Sequence, residues 1–177
     1  KGVMADMGGV YTLGTSFGTS VHDNVVHDVC SPTYGGCGIY LDEGAEGIVV
    51  ERNLVWNPTH AGLQQHFGSG CVVRNNIFAF NRKNAAVSVH RKYVQGVPCP
   101  LHFLRNIVVV SEGALVEEGA RGMHEVGGVW ADNLWYDFRG LLAATFDQVD
   151  WKAWSADPLE TGGVFADPRF EDARGFD

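Results

Sequence analysis

A repeated asparagine restricts this chain more than any other feature. Five segments carry the same run of apolar, polar, Asn and apolar residues: VHDNVVHDV around Asn24, VERNLVWN around Asn53, VRNNIFAFN around Asn76, FLRNIVVVS around Asn106 and WADNLWYDF around Asn133. Successive asparagines lie 29, 23, 30 and 27 residues apart. Self-similarity at that period marks a repeat architecture, in which no unit buries its apolar face alone and stacked neighbours share one core. A second strand-like run, opened by a small residue, precedes each Asn from the second coil onward and also stands ahead of Asn24. It reads GVYTLG from Gly9, GIYLDEG from Gly38, GLQQHFG from Gly62 and AVSVHR from Ala86, with GALVEEG from Gly113 a less regular fifth version.

Two short strands per unit, with no amphipathic helix between units, predict an all-β chain. The expected fold is a right-handed, single-stranded parallel β-helix, a solenoid of about five coils, with a short C-terminal helix and an extended tail. Stacking brings like positions to about 4.8 Å from one another. At the bend between strands, Asn tolerates the left-handed conformation and can bond backbone groups the bend leaves unpaired, and a stacked column of Asn makes an amide ladder. Alternation assigns Val10, Ile39, Leu63 and Val87, and likewise Thr12, Leu41, Gln65 and Val89, to inward columns. After Gly140 the repeat ends. Thr145 and Gln148 form a capping-box pattern that predicts a helix over about 145–154, followed by an extended tail through the two ADP triplets. The chain therefore divides into coils over 1–140 and a helix and tail over 141–177. Its first residues run into a strand pattern with no cap, so the coils are expected to continue upstream of residue 1.

A formal net charge of -8 argues against nucleic acid, whose phosphates call for clustered Lys and Arg, and against an anionic membrane surface. No apolar run reaches the roughly 18–20 residues of a membrane span. The four cysteines form no CxxC pair and no zinc pattern. Cys30 and Cys37 bracket one loop and would bridge in an oxidising compartment, with free or buried thiols as the alternative. Oligomeric state is not legible.

Chemistry is expected on the outward face of the first strand, where side chains of neighbouring coils converge. One outward column holds Tyr11, Tyr40, Gln64 and Ser88. The other holds Leu13, Asp42, His66 and His90, with Glu117 as a fifth, less regular member. A carboxylate beside imidazoles can be held ionised or protonated by its neighbours, which is how paired acid–base groups take different roles. Glu43 adds a carboxylate and Arg91 a cation, while Asp6 approaches from the adjoining turn. Tyr11 and Tyr40 supply an aromatic, hydrogen-bonding surface suited to a sugar ring. Substrate contacts are thus expected from Tyr11, Tyr40, Gln64, His90 and Arg91, and no metal is expected.

The segments DMGGVYTLGTSFGTSVHDNVVHDV, GIYLDEGAEGIVVERNLVW and QQHFGSGCVVRNNIFAFN resemble right-handed β-helix proteins of the pectate-lyase-like superfold. More narrowly they are similar to a bacterial group related to β-helix glycoside hydrolases of the α-L-fucosidase and xylanase type. The likeness extends over nearly the whole chain to the terminal ADP-x-F segment, and GIYLDEG is its most specific stretch. It implies a pair of catalytic aspartates on adjacent coils, matched here by Asp6 and Asp42, with His66 and Glu43 tuning them. The implied function is hydrolysis of a glycosidic bond in a plant or algal polysaccharide or oligosaccharide. The implied location is extracellular or periplasmic, with no cofactor. Two alternatives stand beside it: a polysaccharide lyase or epimerase, for which Ca²⁺ would enter, and a non-catalytic carbohydrate-binding or surface β-helix.

Overall fold

The structure is a computed structural model describing residues 3–90, 92–117 and 119–172. It is mostly β, and its one α-helix among the described residues is Trp151–Trp154. The chain visits three parallel sheets in turn and then repeats the circuit. The first sheet is five-stranded: Gly8–Thr12, Cys37–Leu41, Leu63–Gln65, Ala85–Val89 and Ala114–Val116. The second is six-stranded and runs from Ser20–His22 through Val49–Glu51, Cys71–Arg74, Leu101–Leu104 and Val129–Ala131 to Glu160–Thr161. The third, also six-stranded, runs from Val25–His27 through Leu54–Trp56, Ile77–Ala79, Ile107–Val110 and Leu134–Asp137 to Val164–Phe165. Each strand pairs with its counterpart one circuit away, an order compatible with the solenoid-like stacking that the repeat predicts.

The expected inward columns pack the core. Ile39, Leu41, Leu63, Val87 and Val89 are fully buried and meet Val50 and Val73 of the second sheet and Val55 and Phe78 of the third. At Gly38 the first sheet packs tightly on the third, since a Cβ there would lie 2.2 Å from Val55 Cγ1. The core turns aromatic in the later circuits, where Phe103, Trp130, Trp135 and Trp154 pack at ring separations of 4.9–6.2 Å. Gln65 sits among aliphatics in its inward column with neither amide atom bonded, and the buried Thr12 hydroxyl is likewise unpaired.

The asparagine ladder is present, with one correction. In each step the backbone N–H and the Nδ2 of one Asn donate to the Oδ1 of the next: Asn53 to Asn76 at 2.9 and 2.9 Å, and Asn76 to Asn106 at 2.9 and 3.0 Å. Asn24 and Asn106 make the same pairs with Asn53 and Asn133. The left-handed backbone falls one residue earlier, on Asp23, Arg52, Asn75, Arg105 and Asp132, with φ between 51 and 57°. Turning the chain before the Asn leaves the Asn itself free to send both N–H groups along the stack.

The C-terminal region also differs from expectation. Thr145 caps no helix, because Phe146 is buried in the core and bridges Val116 instead. The helix begins at Trp151, where the Asp150 side chain accepts from Ala153 N at 2.9 Å as the N-cap. The tail beyond it is not merely extended: Glu160–Thr161 and Val164–Phe165 add a last strand to the second and third sheets.

Candidate active site

The Leu13, Asp42, His66 and His90 column forms as the alternation predicts, because the strands preceding these residues pair in register: Thr12 with Leu41, Leu41 with Gln65, and Gln65 with Val89. Asp42 is the centre of the arrangement. Its Oδ2 accepts the Tyr11 hydroxyl from the preceding circuit, and its Oδ1 lies 2.9 Å from His66 Nδ1 of the following one. Burial pushes the Asp42 carboxyl up, yet the hydrogen bonds from Tyr11 and His66 outweigh it and hold the group below the usual carboxylate range. The same bond raises the Tyr11 phenol to about 12, so Tyr11 stays a donor. Glu43 is more exposed, its Oε1 3.9 Å from His66 Nδ1.

Asp6 reaches this group through Tyr40, whose hydroxyl donates to Asp6 Oδ1 at 3.3 Å. Tyr40 itself is buried, packed edge-on against Tyr11 at 5.2 Å, and burial raises its phenol strongly. Its ring is therefore covered and offers no stacking face to a sugar, whereas Tyr11 remains 45% exposed. Gln64 is also fully buried. Its amide accepts from Cys37 Sγ at 3.1 Å and donates to the Tyr34 hydroxyl at 2.6 Å. Tyr34, on the loop between the third-sheet strand Val25–His27 and the first-sheet strand Cys37–Leu41, packs on His60 and closes over this part of the sheet. All four cysteines are free, Cys30 and Cys37 included, and burial pushes the Cys37 thiol up to about 12.

His90 lies one circuit beyond His66, the two rings perpendicular at 6.1 Å, and its Nε2 faces Ser88 Oγ at 2.9 Å. Arg91 lies outside the described residues. Glu117 does not continue the Asp42 column. Val87 pairs with Val116, so Glu117 stands beside Ser88, two positions from the place the sequence spacing gave it. Tyr34 is the residue that sequence reasoning missed. It sits in a loop with no period to mark it, and only the tyrosine between proline and two glycines in SPTYGG hinted at an ordered turn.

Chemically, the arrangement is an ionised carboxylate that orients an imidazole, with a phenol donating to its other oxygen. Such a carboxylate suits a base or nucleophile, and the imidazole it steers can carry a proton. No group of three or more His, Cys, Asp or Glu side chains with metal-binding geometry occurs among the described residues. No helix among them is long and apolar enough to cross a membrane. Family models, curated proteins and solved structures gave no match to this chain.

Proposed function

We propose that the stacked circuits form a right-handed parallel β-helix and that the outward face of its first sheet hydrolyses a glycosidic bond in a plant or algal glycan. The observation that carries this reading is the line Tyr11, Asp42, His66, one residue from each of three successive circuits, joined by hydrogen bonds through an ionised carboxylate. Asp42 acts as the charged member, as base or nucleophile. Asp6, exposed and linked through Tyr40, serves as the acid that protonates the leaving oxygen. Asp42 orients His66, and the hydrogen bonds from Tyr11 and His66 keep Asp42 ionised. The resemblance of GIYLDEG and its neighbours to β-helix glycosidases supports the same pairing, and the extracellular or periplasmic location follows from the substrate.

The dyad of Asp42 and His66 also supports a second reading, in which His66 abstracts a proton in a lyase or epimerase. Product analysis separates the two. Hydrolysis releases a reducing end without an unsaturated sugar, and elimination gives an ultraviolet-absorbing product. Under the hydrolase reading, Asp42→Asn lowers turnover of an aryl glycoside by at least about a thousandfold, as expected for a lost catalytic carboxylate. Turnover equal to the parent protein's removes Asp42 from the mechanism.

A further inference from the structure

We propose that the site continues one circuit past His66 into a subsite made by Ser88, His90 and Glu117, which binds the hydroxyls of a sugar residue carrying no carboxylate. The inference rests on the carbohydrate reading of this face and assigns that face a substrate class. The register places Glu117 beside Ser88, with Glu117 N donating to Val87 O at 2.9 Å. Glu117 Oε2 is buried and has no hydrogen-bond partner among the described residues. It lies 3.9 Å from His90 Nε2, too far for a hydrogen bond, while the Glu117 and His90 side chains keep 28% and 34% of their surface exposed.

A buried carboxylate oxygen without a donor is costly, and a donor arriving with a ligand removes that cost. A sugar hydroxyl fits because it donates and accepts at once: its O–H can go to Glu117 Oε2 while its oxygen takes a bond from an imidazole N–H. His90 is held for this by Ser88, fully buried, which fixes the ring through Nε2. The perpendicular contact between the His66 and His90 rings makes the subsite continuous with Asp42.

Charge sets the substrate class. Asp42, Glu43 and Glu117 all lie on this side of the first sheet, and the Lys92 ammonium is bonded to the Arg121 carbonyl at 2.7 Å. Among the described residues no Lys or Arg forms an ion pair with these three carboxylates. A uronate would enter against like charge, which costs affinity.

The test is calorimetric titration of the whole chain with xylo- and cello-oligosaccharides and with oligogalacturonate. Each is run on the parent protein, on Asp42→Asn to separate binding from turnover, and on Glu117→Ala and Glu117→Gln in both backgrounds. The subsite requires an uncharged oligosaccharide to bind more tightly than oligogalacturonate, and Glu117→Ala to weaken it by about tenfold, the loss expected for one hydrogen bond to a charged group. Glu117→Gln, which keeps the shape, guards against misfolding and should give a smaller loss with a melting midpoint no lower than the parent's. Equal affinity in the parent protein and Glu117→Ala overturns the subsite, as does tighter binding of oligogalacturonate. Binding that depends on Glu117 with no turnover of any glycoside sinks hydrolysis and leaves the subsite standing. Turnover that is lost in Asp42→Asn and indifferent to Glu117 does the reverse. A parent protein that binds none of these sugars overturns the subsite.

Discussion

Removing the Tyr11 hydroxyl would leave Asp42 nearly as buried as before but with one donor fewer, so the upward push of burial would meet less opposition. The sign follows directly: in Tyr11→Phe the Asp42 carboxyl titrates at higher pH. The acid limb of a pH–activity profile should therefore move to higher pH, with activity at neutral pH changed far less than in Asp42→Asn. An unmoved acid limb would show that Asp42 does not govern it. Gln65 poses the opposite case, a polar side chain that nothing satisfies. It stands in the core between Leu41 and Val89 with both amide atoms unpaired, so Gln65→Leu should stabilise the protein by about 2 kcal/mol in urea denaturation. A loss of stability would mean that the amide has a partner the static picture does not show.

At the scale of elements, the ladder converts sequence repetition into strand register. Asn76 is buried and serves two neighbours, so Asn76→Ala removes the acceptor of Asn53 N and Nδ2 and the donor to Val50 O. With more than one buried group unpaired, the expected cost is about 3 kcal/mol. Asn24, exposed at the first circuit, should cost under about 1 kcal/mol on the same change, and equal losses at both positions would show that the ladder does not work by burial. The ladder was legible because every circuit repeats the same demand. The inward columns and the face holding Asp42, His66 and His90 were legible for the same reason, since alternation along a strand is local. Glu117 was misplaced because coil lengths vary and a slip of two residues keeps a side chain on the same face. The closing of Gln64 and Tyr40 beneath Tyr34 was not legible at all. It depends on how a loop of one circuit folds over the strands of the next, which no local pattern encodes.

Taken whole, burial deepens toward the later circuits: Val10, Val21 and Val26 are only partly buried, whereas Phe146, Trp154 and Glu160 are buried. The ladder stops after Asn133 because Gly163, in the place of a sixth Asn, has no side chain. Glu160 fills the space instead, accepting from Asn133 Nδ2 at 3.3 and 3.4 Å, and a Cβ on Gly163 would lie 2.4 Å from its Oε1. Burial raises the Glu160 carboxyl from 4.5 to about 7, against the pull of its bonds from Asn133. A group whose folded pKa is raised contributes its stability fully below the unfolded value and loses it as pH rises through the folded one. Between pH 4.5 and about 7 the folded protein holds the Glu160 proton more tightly than the unfolded chain, so stability falls with rising pH by about 3 kcal/mol over the whole window. His60 works against this trend, because burial lowers its imidazole below 6.5 and its contribution grows with pH up to that value. Comparison with Glu160→Gln cancels His60 and every other titration common to both chains. The variant keeps the acceptor for Asn133 and the volume beside Gly163 but cannot ionise, so its stability relative to the parent should rise by about 3 kcal/mol between pH 4 and pH 8 in urea denaturation. A difference independent of pH would mean that Glu160 is ionised at neutral pH at no cost to the fold, and that the ladder ends on a charged carboxylate.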